Sequence, residues 1–191
     1  MHNEKWSPSV ILADAEYLDR VAFDLIVNFE RMIGRRIPQG DLCRWLDCVA
    51  LDGGLRPGDN AVQALFIHGR DTAALRNFAP SSFADELDGK AFRDNLGEFT
   101  LHSFPVEEVV AKDDFLVQCL ETLADAREVE HLMVVADLDT CGQRVKSVCA
   151  DAGGKDITLF SMQPLSGRGF SQEILGYSLM AALGISGDEL K

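Results

Sequence analysis

A chain of 191 residues with 18 basic and 31 acidic side chains carries a net charge of −13, a balance that disfavours a generic nucleic-acid binder because affinity for phosphate comes largely from Lys and Arg. With 47% hydrophobic and 26% charged residues the composition is that of a globular protein with a substantial core, and one domain spanning 1–191 is expected. No apolar run approaches the roughly 20 residues needed to cross a bilayer, and Met1-His2-Asn3-Glu4-Lys5-Trp6 lacks the basic start and apolar core of a signal peptide, so a cytoplasmic protein with no membrane partner is expected.

Pro8 blocks a helix before it, and Ser9 to Asp14 reads as a short buried strand ending in a carboxylate. From Tyr17 to Ile33 the apolar positions Leu18, Val21, Ala22, Leu25, Ile26, Phe29, Met32 and Ile33 fall at helical spacing, with Gly34 as the stop. A second helix is predicted from about Asp41 to Leu51, with Leu42, Trp45, Leu46 and Val49 on one face. Ala61 to His68 is the second strand, and short helices are predicted over 72–78 and 82–96. Phe99 to Phe104 gives a third strand, Lys112 to Arg127 a strong helix, and His131 to Ala136 a fourth strand. A helix from Thr140 to Ala152, a fifth strand from Ile157 to Met162 and a final helix from Ser171 to Leu183 complete the chain. Strands alternating with helices predict an α/β fold, a three-layer α/β/α sandwich around a mainly parallel, about five-stranded Rossmann-like sheet.

The five cysteines form no CxxC pair, and Cys43, Cys48 and Cys119 fall among apolar neighbours in helical patterns. That usage fits buried free thiols rather than a disulfide framework or a zinc site. The histidines His2, His68, His102 and His131 show no metal-ligand spacing, and no GxGxxG, GxxxxGK[ST] or GxSxG occurs.

The acids are more informative. Asp14 closes the first strand, Asp113 and Asp114 open the helix after the third, and Asp137 and Asp139 close the fourth. In a parallel sheet the C-terminal ends of neighbouring strands lie about 5 Å apart, and that edge is where ligands bind. Asp137 and Asp139, two apart on an extended chain, point to the same side. Five carboxylates from three segments would raise one another's pKa unless a cation joined them. A hard divalent ion, Mg²⁺ or Mn²⁺, is the natural partner, and metal-assisted attack of water on a phosphodiester is the chemistry implied. Taken singly, Asp113 and Asp114 also fit a first helical turn, Asp139 a helix cap and Asp14 a strand-end turn.

Val10-Ile11-Leu12-Ala13-Asp14, Asp113-Asp114-Phe115-Leu116-Val117 and Val134-Val135-Ala136-Asp137-Leu138-Asp139 resemble the PIN-like nuclease superfamily, and within it the NYN domains. The resemblance implies a Rossmann-like sheet and an acidic metal site that cleaves RNA. Metal ligands would be Asp14, Asp113, Asp114, Asp137 and Asp139, with Asp14, Asp114, Asp137 and Asp139 carrying catalysis. Tyr17 stands where NYN domains usually place Asn. The chain also resembles a family of proteins of this length from gut Bacteroidetes, which implies no function. The basic residues Arg35, Arg36, Arg70, Arg76, Lys112, Arg144 and Arg168 are scattered and read mostly as solvated surface, which weakens RNA as a partner. A degenerate, non-catalytic module that binds a partner or forms homo-oligomers is the alternative. Asp137-Leu138-Asp139-Thr140 also looks like the opening motif of haloacid-dehalogenase-type phosphatases, but the acids Asp151, Asp156, Glu173, Asp188 and Glu189 that follow do not form the pair that fold requires.

Overall fold

The computed structural model describes residues 5–107 and 109–191. Met1–Glu4, on which the reading of the N-terminus partly rests, lie outside the described residues. In chain order the elements are β1 (Ser9–Asp14), α1 (Ala15–Ile33), β2 (Gly40–Asp41), α2 (Leu42–Asp52), β3 (Asn60–Gly69), β4 (Phe78–Ala79), β5 (Ala91–Asp94), β6 (Gly97–Val106), α3 (Lys112–Asp125), β7 (His131–Val135), α4 (Leu138–Asp151), β8 (Asp156–Ser161), β9 (Ser171–Ile174) and α5 (Leu175–Ala182), with a π-helical turn at Phe83–Leu87 and a 3₁₀ turn at Gly187–Leu190.

Seven strands form one sheet in the order β5-β6-β3-β1-β7-β8-β9, and β2 and β4 pair separately. Every neighbour in the large sheet is parallel except β5 against β6. β1 lies at the centre, and all six of its residues are buried. A strand covered on both faces must be apolar on both, which is why Val10-Ile11-Leu12-Ala13 shows no alternation. Its odd and even positions then go to different cores. Ile11 and Ala13 pack with Leu18 and Val21 of α1, Trp45 and Leu46 of α2, and Leu175 and Leu179 of α5. Val10 and Leu12 pack with Leu116 and Leu120 of α3 and Val145 of α4. Helices therefore cover both faces.

The sheet has seven strands rather than five, and the differences are local. The helices predicted over 72–78 and 82–96 are replaced by β4, the π-helical turn and β5. Phe78, Phe83 and Leu87 are each buried against the α1–α2 core, so their spacing imitates a helical stripe without being one. β5 and β6 instead make a hairpin in which Phe92 stacks on Phe99 with centroids 4.7 Å apart. The Leu96 amide donates to Asp94 Oδ1 at 2.9 Å to close the turn. Gly97 is required there, since at φ 129° a Cβ would lie 2.0 Å from the Asn60 carbonyl oxygen. The final helix begins at Leu175, not Ser171, because Ser171–Ile174 adds to the edge of β8 as β9. Gln172 Nε2 donates to Ser161 Oγ and to the Gln163 carbonyl, tying that short strand down.

All five cysteines are free thiols, with Cys141 and Cys149 buried. Among the described residues no helix is long and apolar enough to cross a membrane.

Candidate functional site

The chain leaves β1 toward β3 and β6 on one side, then returns past it to β7 on the other. At such a switch point the helices after adjacent strands diverge to opposite faces and leave a crevice at the C-terminal sheet edge. Three of the predicted acids reach it. Asp14 caps α1, accepting from the Tyr17 amide at 3.1 Å, and Asp137 caps α4. Asp113, in the first turn of α3, completes the set. These three line one cleft of about 280 Å³ together with Arg20, Lys112 and Thr140.

The other two acids go elsewhere. Asp114 pairs with Arg144 of α4 and does not line that cleft. Asp139 lines a separate cleft of about 300 Å³ with Lys146 and Leu165. β7 ends at Val135, so Asp137 and Asp139 are a cap and a first-turn residue rather than an extended pair. Helical backbone turns side chains two apart away from each other. The Asp139 amide instead donates to Asp137 Oδ1 at 3.2 Å. Of the Asp113–Asp114 pair, the structure thus turns Asp113 to the cleft.

Two of the cleft acids, Asp14 and Asp137, already face cations. Lys112 Nζ lies 3.2 Å from Asp14 Oδ1 and 2.9 Å from Glu16 Oε2. Glu16 Oε1 accepts from the Gly69 amide at 2.7 Å and from Thr72 Oγ1 at 2.6 Å. Arg20 Nη2 meets Asp137 Oδ2 at 2.9 Å, and its guanidinium sits 5.4 Å from the Tyr17 ring centroid. Burial, with the Asp14 side chain only 3% exposed, pushes the Asp14 carboxyl up although Lys112 opposes it. Burial would also raise Glu16, but hydrogen bonds from Lys112, Thr72 and the Gly69 amide outweigh it and hold that carboxyl at about 2. Burial works against the Lys112 ammonium, yet Glu16 and Asp14 keep it more firmly charged than an ordinary lysine. Cys141, beside the cleft, donates to the Asp137 carbonyl. Burial, then the nearby acids, pushes its thiol up to about 11, so it stays neutral.

This donor set does not fit Mg²⁺ or Mn²⁺ as it stands. A hard divalent ion needs direct oxygen ligands at about 2.0–2.2 Å, whereas the Asp14 and Asp137 oxygens here engage an ammonium and a guanidinium. Among the described residues no three His, Cys, Asp or Glu side chains are grouped to hold a metal ion.

Glu16, Arg20 and Lys112 belong to the site, and the strand-end reading of the sequence passed over the first two and left Lys112 among the scattered surface cations. One signal was present. Lys112 is the first residue of α3, where the helix dipole disfavours a cation, so a nearby carboxylate partner is implied. The two ion pairs differ in weight. Arg20 is 58% exposed at its side chain, and Arg20→Ala is expected to cost no more than about 0.5 kcal/mol in urea unfolding.

Fold and site together define an α/β protein with a Rossmann-like, mostly parallel sheet and an acidic cleft neutralised from within. The chain belongs to DUF6621, a family of unknown function whose family model matches residues 3–190. No curated protein and no solved structure matches it.

Proposed function

We propose that this is a PIN-like three-layer α/β/α domain whose acidic site has lost metal chemistry, and that it acts in the cytoplasm as a non-catalytic interaction module. The observation that carries this reading is Lys112, whose ammonium is bonded to both Asp14 and Glu16. Metal-assisted hydrolysis needs carboxylates free to bind the ion that activates water. Here cations from three helices meet the acids: Lys112 on Asp14, Arg20 on Asp137 and Arg144 on Asp114. A net charge of −13 further opposes a polyanionic substrate. Five free thiols suit a reducing compartment.

One observation favours a metal-dependent ribonuclease as the second reading, namely that Asp14, Asp113 and Asp137 line a single cleft. Incubation of the wild type with single-stranded RNA and Mn²⁺ or Mg²⁺ decides between the two. The module reading expects no cleavage above that of Asp137→Asn, and Mn²⁺-dependent cleavage abolished by that substitution would sink it. Sedimentation of the wild type shows whether the partner is a second copy of the chain.

A further inference from the structure

We propose that the groove between α3 and α4 docks a basic, amphipathic helical segment of a partner protein. This deepens the interaction-module reading above and rests on it, adding the chemistry of the partner.

The groove follows from two matching stripes. Val117, Glu121 and Ala124 of α3 stand four and then three residues apart, and Val148 and Ala152 at the end of α4 stand four apart, so each set lies on one helix face. The two faces bound a single opening of about 440 Å³. Val117 is buried at its base, and Ala124, Val148 and Ala152 are half-buried along it. The small side chains of Ala124, Ser147 and Ala152 leave the space between the helices open. From Val117 to Asp125 the groove runs about 12 Å, two turns of helix. That length and apolar floor suit a helix presenting apolar anchors at i, i+4 and i+7.

The rim sets the sign of the partner. Glu121, Asp125 and Asp151 line the groove, exposed and without an ion pair among the described residues. The one cation there, Arg144, is committed to Asp114. Asp125 and Asp151 are also the last residues of α3 and α4, and neither helix has a basic residue in its last turn. A helix C-terminus is partly negative, so an acid there is unfavourable and a cation favoured. Lys155 reaches only backbone carbonyls, those of Ala126 and Val129, and leaves the carboxylates unanswered. Two negative helix ends and three acids thus meet beside an apolar floor. Lysines or arginines flanking the apolar stripe of a partner helix supply the missing charge, and the net charge of −13 steers a basic segment in. The same net charge sets two copies of this chain against each other, and an acidic rim repels a phosphate backbone.

The test titrates the full chain into a fluorescein-labelled amphipathic peptide of about 18 leucine and lysine residues, and into its leucine–glutamate counterpart. Anisotropy is read at about 0.15 M salt, where attraction beyond about 8 Å is screened. Wild type should bind the lysine peptide and ignore the glutamate one. Ser147→Trp, which fills the groove at unchanged charge, and Glu121→Gln/Asp125→Asn/Asp151→Asn should each weaken binding about tenfold or more. Asp24→Asn/Asp59→Asn/Asp85→Asn, an equal change of charge elsewhere, should stay within about twofold. Should Ser147→Trp not fold, Ala124→Trp is read in the same way. Because its acids oppose their helix ends, the groove triple variant should also melt no lower than wild type. Equal weakening by both triple variants, full binding by the filled groove, or a groove triple variant that melts lower as it loses the peptide overturns the proposal. So does a wild type that binds no lysine peptide, or one that sediments as a dimer split by Ser147→Trp, which gives the groove to a second copy. Metal-dependent RNA cleavage would sink the module reading whatever the peptide does, so the two fail separately.

Discussion

Replacing Lys112 with methionine should cost the fold about 2–3 kcal/mol at pH 7, measured by urea unfolding, and much less near pH 2. Methionine keeps most of the apolar stem, so the change isolates the charge. Stripping one partner from a buried ion pair costs roughly 3–5 kcal/mol because the remaining charge is left unsolvated. The lower figure applies because the Lys112 and Glu16 side chains are 25% and 32% exposed, and water screens part of the loss. The pH dependence follows from the two acids. Glu16 is held at about 2, below its ordinary 4.5, so its contribution is present above pH 4.5 and fades as pH falls through 2. Asp14 is raised, so its contribution is full below its ordinary value and lost as pH rises through the folded one. Without Lys112 the first contribution shrinks and the second penalty grows, and both widen the gap at neutral pH. The double variant Asp14→Asn/Lys112→Met should recover part of the loss, a non-additivity that a merely packed lysine would not show. Equal losses at pH 2 and pH 7 would show that the stem, not the charge, matters.

The central strand was legible because its physics is local. A strand buried on both faces needs an unbroken apolar run, and the helix leaving it needs a cap, so Val10-Ile11-Leu12-Ala13-Asp14 announces both. The same reasoning placed Asp137 at the sheet edge where the cleft opens. What escaped the sequence depends on contacts made at a distance. Phe78, Phe83 and Leu87 fill separate places in one core, and nothing in their spacing distinguishes that from a helix face. Ser171-Gln172-Glu173-Ile174 has little strand character of its own and becomes β9 because β8 offers an unpaired edge and Gln172 finds Ser161. Within the cleft, Asp14, Asp113 and Asp137 follow from a strand end and two helix starts, but Asp114 and Asp139 turn elsewhere, and the partners of the acids could not be placed. Lys112 neighbours Asp113 in the chain and yet bonds to Asp14 and Glu16. That choice follows from the position of β6 two strands away from β1, which no local pattern encodes.

Asp47→Asn should raise stability by about 1–2 kcal/mol at pH 8 and change it little near pH 5. Asp47 lies on α2, and burial, then the Asp94 carboxyl on β5, then Asp41 at the start of α2, push its pKa from 3.8 to about 7. Its Oδ1 is buried with no hydrogen-bond partner among the described residues, while Asp94 Oδ1 is already taken by the Leu96 amide. A shared proton is the natural way for two such carboxyls to lie together. The folded chain therefore retains a proton that the unfolded chain releases near pH 4. By linkage, the stability this proton provides is full below pH 3.8 and is lost as pH rises through about 7. The figure is kept small because Asp47 is only half-buried and water screens the repulsion. Asparagine supplies a permanent donor to Asp94 and removes the charge, so it should flatten the stability profile between pH 5 and pH 8. Asp52, raised by burial and by Glu173, tilts the wild-type profile in the same direction, so the slope alone does not identify the group. The difference between wild type and Asp47→Asn does, because Asp52 is common to both and cancels. A variant no more stable than the wild type at pH 8 would show that the two carboxyls already stand far enough apart to ionise independently.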